Sequence, residues 1–160
     1  MPLAVLDALG AYDLERAGTL VPYRLPGVLA AADLGIFQLR QAQLALDPAR
    51  LPWSMRAIVR RDEAQMVGYI NFHGPPGVND IAAPEAAELG WTVFPTERRR
   101  GYATEAARGL MTWATAVHGV RRFISSTTPD NVASLRVHEK LGFTATGEIV
   151  EGELIFELRR

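Results

Sequence analysis

Residues 88–117 read ELGWTVFPTERRRGYATEAARGLMTWATAV, and they restrict the fold more than any other stretch. A β-prone run, Glu88 to Phe94, is stopped by Pro95. A charged turn follows, and from Gly101 to Val117 the pattern turns helical, with Ala103, Ala106, Ala107, Leu110, Met111 and Ala114 on one face. A strand that passes so quickly into a helix lays that helix back on the sheet, and the small alanines allow close approach. The arrangement predicts a mixed α/β fold.

The rest of the chain fits around this unit. The first fifty residues are rich in Ala and Leu and read mainly as helix. Ala30 to Leu46 is the best stretch, ended by Asp47-Pro48. Arg56–Arg61 and Met66–Phe72 alternate loosely about a turn at Asp62 and Glu63, which predicts a hairpin, and Gly74-Pro75-Pro76-Gly77 breaks the pattern. After the long helix come a strand over Arg122–Thr128 and a short helix over Asn131–Lys140 with Gly142 as its left-handed cap. A final strand pair spans Phe143–Ile149 and Glu153–Leu158. One domain over residues 1–160 is expected.

Bulk properties mostly exclude. The chain has no cysteine, so disulfides, thiolate–metal sites and an acyl-cysteine intermediate are ruled out. With only His73, His118 and His138, no metal site is expected. A net charge of -1 gives no reason to expect nucleic acid as a partner. No apolar run is long enough to span a bilayer, and the opening MPLAVLDALGAYD lacks the basic region of a signal peptide. These features point to a cytoplasmic protein without a membrane partner.

The turn before the long helix has its own chemistry. The first turn of a helix carries unpaired N–H groups and a partial positive charge, which together suit a phosphate. Gly101 lets the backbone come close to an anion, Ala103 is small, and Arg98, Arg99 and Arg100 add positive field. Two readings fit the turn alone: a diphosphate cradle, or a glycine before a helix beside a solvated arginine face. Gly142 to Gly147 has the spacing of a P-loop, but Glu148 stands where that motif requires lysine.

The segment also resembles the GNAT superfamily of N-acetyltransferases. Arg98-x-x-Gly101-x-Ala103 is similar to the acetyl-CoA motif Arg/Gln-x-x-Gly-x-Gly/Ala, and FISSTTPDNVASLRVHEKLGF resembles the family's following strand and helix. The likeness covers roughly 86–160 and is nearest to the branch with ribosomal-protein-alanine N-acetyltransferases. It implies a mixed, mostly antiparallel central sheet flanked by helices, acetyl-CoA as cosubstrate, and direct transfer to a primary amine, either a peptide N-terminus or a small molecule. A non-catalytic acyl-CoA-binding module on the same fold is the alternative. Homodimers are common in the family. About 1–80 would form the acceptor side and about 86–160 the acetyl-CoA side. The first half departs from the branch, which usually opens with a strand rather than with residues like Met1-Pro2-Leu3-Ala4.

The resemblance also distributes roles. Trp91, Thr92 and Val93 would meet the pantetheine arm of the cofactor. Arg98, Arg99, Arg100, Gly101, Tyr102, Ala103 and Thr104 would hold its phosphates, and Asn131 and Ser134 would face it. Asp130 is an alternative helix cap that would free the Asn131 amide. An alkylamine is mostly protonated near neutral pH and needs a base. Glu88, expected to begin its strand, is the candidate, against a reading as a surface carboxylate at a strand end. Many members carry a tyrosine seven residues after the motif asparagine, as acid for the leaving thiolate. Here that count lands on His138, against a reading as a helix-surface histidine. His73 follows the hairpin and reads as a loop histidine with no role, against the alternative that it lines the acceptor cleft.

Overall fold

The computed structural model describes residues 1–160. Helices α1 (Leu3–Gly10), α2 (Leu14–Thr19) and α3 (Ala31–Leu46) come first, followed by a 3-10 turn over Pro48–Trp53. The strands are β1 (Arg56–Arg60), β2 (Gln65–Phe72), β3 (Ala86–Val93), β4 (Arg122–Thr127), β5 (Thr144–Val150) and β6 (Glu153–Arg159). Helix α4 (Tyr102–His118) joins β3 to β4, and α5 (Val132–Leu141) joins β4 to β5. The expected order of elements is present. The helical opening, however, is interrupted from Leu20 to Ala30, where Pro22 and Pro26 cannot continue a helix.

The six strands form one sheet in the order β1-β2-β3-β4-β6-β5. Neighbours are antiparallel except β3 and β4, which run parallel. The mixed, mostly antiparallel sheet implied by the resemblance is therefore observed. The parallel seam has only three register pairs: Ala86 with Arg122, Ala87 with Phe123, and Glu88 with Ile124. Beyond it both strands continue while held on their outer edges. β3 stays on β2 as far as Val93 opposite Gly68, and β4 stays on β6 as far as Thr127 opposite Leu154. Their carboxyl ends therefore splay apart.

Each face of the sheet buries a different helical layer. Ala107, Leu110, Met111 and Ala114 of α4 pack on Phe72, Ala87, Leu89 and Phe123. On the other face α1 and α3 bring Leu6, Leu9 and Phe37 onto Met66 and Tyr69, with Met55 in the same cluster. The Gln38 amide donates to the Gly10 carbonyl at 2.8 Å and ties α3 to the end of α1. The first half thus supplies a full apolar layer behind the strands.

Gly68 keeps β2 against β3. A Cβ at this position would lie 2.1 Å from the Thr92 carbonyl oxygen, a backbone atom that cannot swing aside. Gly68→Ala is expected to lower stability by about 1–3 kcal/mol, the usual range for forced overpacking. Urea unfolding of the two proteins measures this, and an unchanged midpoint would contradict the close approach.

Candidate active site

The turn expected to cradle phosphate is built from backbone. Arg99 has φ 65° and Gly101 φ 85°, so two left-handed residues bend the chain sharply into α4. Gly101 is the N-cap and has no side chain with which to cap the helix. No backbone N–H from Arg98 to Thr104 donates to an acceptor in the chain; the first to do so is Glu105, to the Gly101 carbonyl at 3.0 Å. Tyr102, Ala103 and Thr104 therefore present the free donors of a 17-residue helix. The arginine side chains are less free than the sequence suggested. Arg98 Nε donates to the Val93 carbonyl at 3.0 Å, and Arg100 pairs with Glu97 at 3.1 Å. Arg99 makes no ion pair.

The splay leads to this turn. Along β3 the Glu88 carbonyl accepts from His73 N–H, and Phe94 N–H donates to Val67, so residues at these alternate positions turn their backbone toward β2. Trp91 and Val93 consequently turn theirs toward the gap beside β4. Thr92 does not: its backbone points to β2 and its side chain lies beside the Tyr69 hydroxyl. Asn131 and Ser134 sit at the start of α5 after β4. Asn131 Oδ1 itself caps the helix by accepting from Ser134 N–H at 3.2 Å, so Asp130 is not the cap. The capping contact still leaves the Asn131 side-chain amino group unused.

Glu88 is the third residue of β3 and has no exposed surface, so the reading as a strand-end surface carboxylate fails. It sits at the last pair of the parallel seam, on the face toward α3. One carboxylate oxygen, Oε2, accepts from Asp80 N–H at 2.7 Å, and His73 Nδ1 lies 3.5 Å from that oxygen. The other, Oε1, is buried with no partner. Asp80 Oδ1 is 3.7 Å from the same imidazole nitrogen, and the three side chains bring one donor atom each within 4.8 Å of one another. Arg40 of α3, also buried, donates to the His73 carbonyl at 3.3 Å. Burial by itself pushes the Glu88 carboxyl up. The His73 imidazole, Asp80 N–H and Arg40 charge outweigh it and hold the group below its ordinary value. A charged carboxylate is thus kept inside the sheet.

The grouping of His73, Asp80 and Arg40 around Glu88 was not visible in the sequence, because the four come from the end of β2, a connecting segment, α3 and β3. The single available signal was the glutamate in the otherwise apolar AAELGW, since a buried carboxylate requires partners.

His138 is also misplaced by the surface reading. It is 1% exposed, stacked on Phe156 at 4.2 Å and 5.1 Å from Trp91, so its ring lies over the gap between β3 and the β4–β6 pair. Neither ring nitrogen has a hydrogen-bond partner of normal geometry. Loss of hydration pulls its pKa down from 6.5 to about 4, offset only in part by the Ser134 carbonyl.

The chain is also similar to known proteins in sequence and fold. Residues 22–144 match the family model described as the acetyltransferase (GNAT) domain. An uncharacterised N-acetyltransferase of Bacillus subtilis, YjdG, is 36% identical over 86 residues, covering 54% of this chain and 48% of the relative. Aminoglycoside N(6')-acetyltransferase type 1 of Salmonella typhimurium is 36% identical over 61 residues, covering 38% and 41%. The matched region spans about half the length of these curated relatives. Among solved structures, the ribosomal-protein-S5-alanine acetyltransferase of Vibrio fischeri superposes with a TM-score of 0.66 at 15% identity, over 99% of this chain and 90% of that one. That likeness is one of fold. No helix is long and apolar enough to cross a membrane.

His138 makes a pH prediction. Its folded pKa lies below the unfolded one, so the unfolded chain binds the proton first as pH falls. Its contribution to stability is full above about pH 6.5 and is lost as pH drops toward about 4, by on the order of 3 kcal/mol. His138→Phe keeps the stack on Phe156 and removes the titration. Urea midpoints at pH 7 and pH 4.5 should therefore converge in the variant, and an equal acid loss in both proteins would contradict a neutral His138.

Proposed function

The chain belongs to the GNAT acetyltransferase family, and from that footing we propose that it is an enzyme moving the acetyl group of acetyl-CoA directly onto a primary amine. The observation that carries this reading is the alignment of the splay with the turn: the open edge at Trp91 and Val93 runs straight to the uncapped start of α4. A ligand that is an extended chain of amides at one end and a diphosphate at the other fits both parts. The Trp91 and Val93 backbone pairs with the pantetheine amides, with Arg98 giving up the Val93 carbonyl as it does so. The free N–H groups of residues 101–104 take the diphosphate, helped by Arg98, Arg99 and Arg100. Asn131 and Ser134 border the cofactor from α5. Thr92 shapes the opposite, acceptor face with Tyr69. No metal enters the reading.

The acetyl carbonyl then lies at the apex of the splay, beside Glu88. An ionised carboxylate there supports the proton removal an alkylammonium requires, directly or through a neighbouring group. His138 packs against the pantetheine arm. A ring neutral down to about pH 4 is a weak source of protons for the thiolate, so we assign it shape rather than acid catalysis. The acceptor is an amine, a peptide N-terminus or a small molecule, approached from the layer built by about residues 1–80. The reading is of one domain over 1–160, in the cytoplasm with its acyl donor, and of a homodimer as the assembly.

A non-catalytic acyl-CoA-binding module is the second reading. The buried charge at Glu88 favours the enzyme, since a binding module has no use for an ionised carboxylate at the apex.

Two measurements test the reading. Acetyl-CoA should raise the melting temperature, and Gly101→Glu should abolish that rise while the protein still folds with a modest loss of stability, because a Cβ at Gly101 meets open space but the left-handed φ of 85° disfavours any side chain. Undiminished binding by Gly101→Glu would refute the cradle. Thiol release over a panel of peptides, polyamines and aminoglycosides should find an acceptor, and Glu88→Gln should lower kcat by about 10²–10⁴ while acetyl-CoA still binds. Binding without thiol release from any amine would favour the module.

A further inference from the structure

Glu88 cannot touch an amine directly. Its side chain is 0% exposed, whereas that of His73, next to it, is 26% exposed. His73 is the more open of the two. Its Nδ1 lies 3.5 Å from Glu88 Oε2 and 3.7 Å from Oδ1 of the exposed Asp80. Its Nε2 faces the other way, 3.5 Å from where a Cβ would stand on Gly90. Gly90 has no side chain, so this nitrogen looks onto β3 one residue before Trp91, the first strand residue whose backbone opens to the splay beyond Gly90.

Resting on the acetyltransferase reading, we propose that the base touching the acceptor amine is His73 Nε2, and that Glu88 is a positioning residue that holds the imidazole from behind. Two carboxylates at Nδ1 require a proton there, which fixes the tautomer and leaves the Nε2 lone pair free beside Gly90. This is the division of labour of a buried carboxylate and a histidine in a hydrolase triad, without the nucleophilic serine. The separation of 3.5 Å is long for a hydrogen bond, as is common before substrate draws such groups together.

The support is rigid. His73 N–H donates to the Glu88 carbonyl at 2.8 Å, Arg40 holds the His73 carbonyl, and Asp80 N–H holds Oε2. The charged groups facing the ring are Glu88 from β3, Asp80 from the segment before it and Arg40 from α3, with Arg50 lining the same small cavity as His73. The ionised state of Glu88 suits the part, since an anion stabilises the imidazolium formed in the reaction.

The step balances. An ammonium acceptor gives one proton to Nε2. The freed nitrogen lone pair forms the N–C bond at the thioester carbonyl, and the C–S bond breaks with its electron pair going to sulfur. The second amine proton passes to the thiolate, leaving amide and free CoA thiol. The imidazolium returns its proton to water through its exposed edge, a route the enclosed Glu88 lacks.

The test has two arms. Nitrogen-15 correlation spectra of histidine-labelled full-length protein should show the neutral His73 ring protonated at Nδ1 and bare at Nε2, and Glu88→Gln should mix the tautomers. An Nε2-protonated wild-type ring overturns the proposal with no acceptor needed. In the second arm, kcat against pH is measured with the best amine of the panel for wild type, His73→Gln, Glu88→Gln and the double variant, each shown to bind acetyl-CoA by thermal shift. His73→Gln should lose about 10²–10⁴-fold near neutral pH and regain activity as pH approaches the amine's own pKa. The double variant should be no worse than His73→Gln, because the two residues act as a unit. If His73→Gln keeps wild-type kcat while Glu88→Gln is inactive, the dyad is refuted and Glu88 alone remains as base. Absence of turnover by wild type with every amine instead counts against the acetyltransferase reading.

Discussion

Three backbone pairs hold the two halves of the sheet together. Ala86, Ala87 and Glu88 meet Arg122, Phe123 and Ile124, and beyond them β3 belongs to one antiparallel ribbon and β4 to another. The seam cannot lengthen without closing the gap, because each strand is already held on its outer edge. It cannot easily shorten, because it is the only strand pairing between the ribbons. The turn before α4, the open edge at Trp91 and Val93 and the charge at Glu88 are all placed relative to its end. Helix α4 stabilises the junction by packing one alanine-rich face on β2 and β3 residues and on Phe123 of β4.

Much of this was legible from the residues. The strand, turn and helix over Glu88–Val117 could be read because its signals are local: a proline stop, a glycine at a left-handed N-cap and a helical alanine stripe. The later helix showed its ends through Asn131 and Gly142, both of which cap it. Local signals failed where tertiary contact decides. Nothing in the spacing of Arg40, His73, Asp80 and Glu88 announces that they meet. His138 has a polar name and a helical address, yet the partners that bury it, Trp91, Phe143 and Phe156, lie on other elements. The arginine run was legible as charge but not as geometry, since Arg98 and Arg100 turn to acceptors within a few residues.

The division between donor and acceptor sides follows from the same layout. The proposed cofactor side would be made mostly of backbone: free N–H groups, an open edge, a small residue at the turn. On that proposal the acceptor side draws on side chains from several elements, including the layer contributed by α1 and α3, and specificity for the amine would reside in the half of the chain with the fewest recognisable motifs.

The splay has a consequence outside catalysis. Two strands that part inside a sheet create two interior edges, and exposed edges are where foreign strands add and aggregation starts. Here the edges face each other across the gap, the Arg98 guanidinium sits on the Val93 carbonyl, and the His138 ring covers one side. The groups that border the proposed ligand path thus also shield an open edge from strand addition.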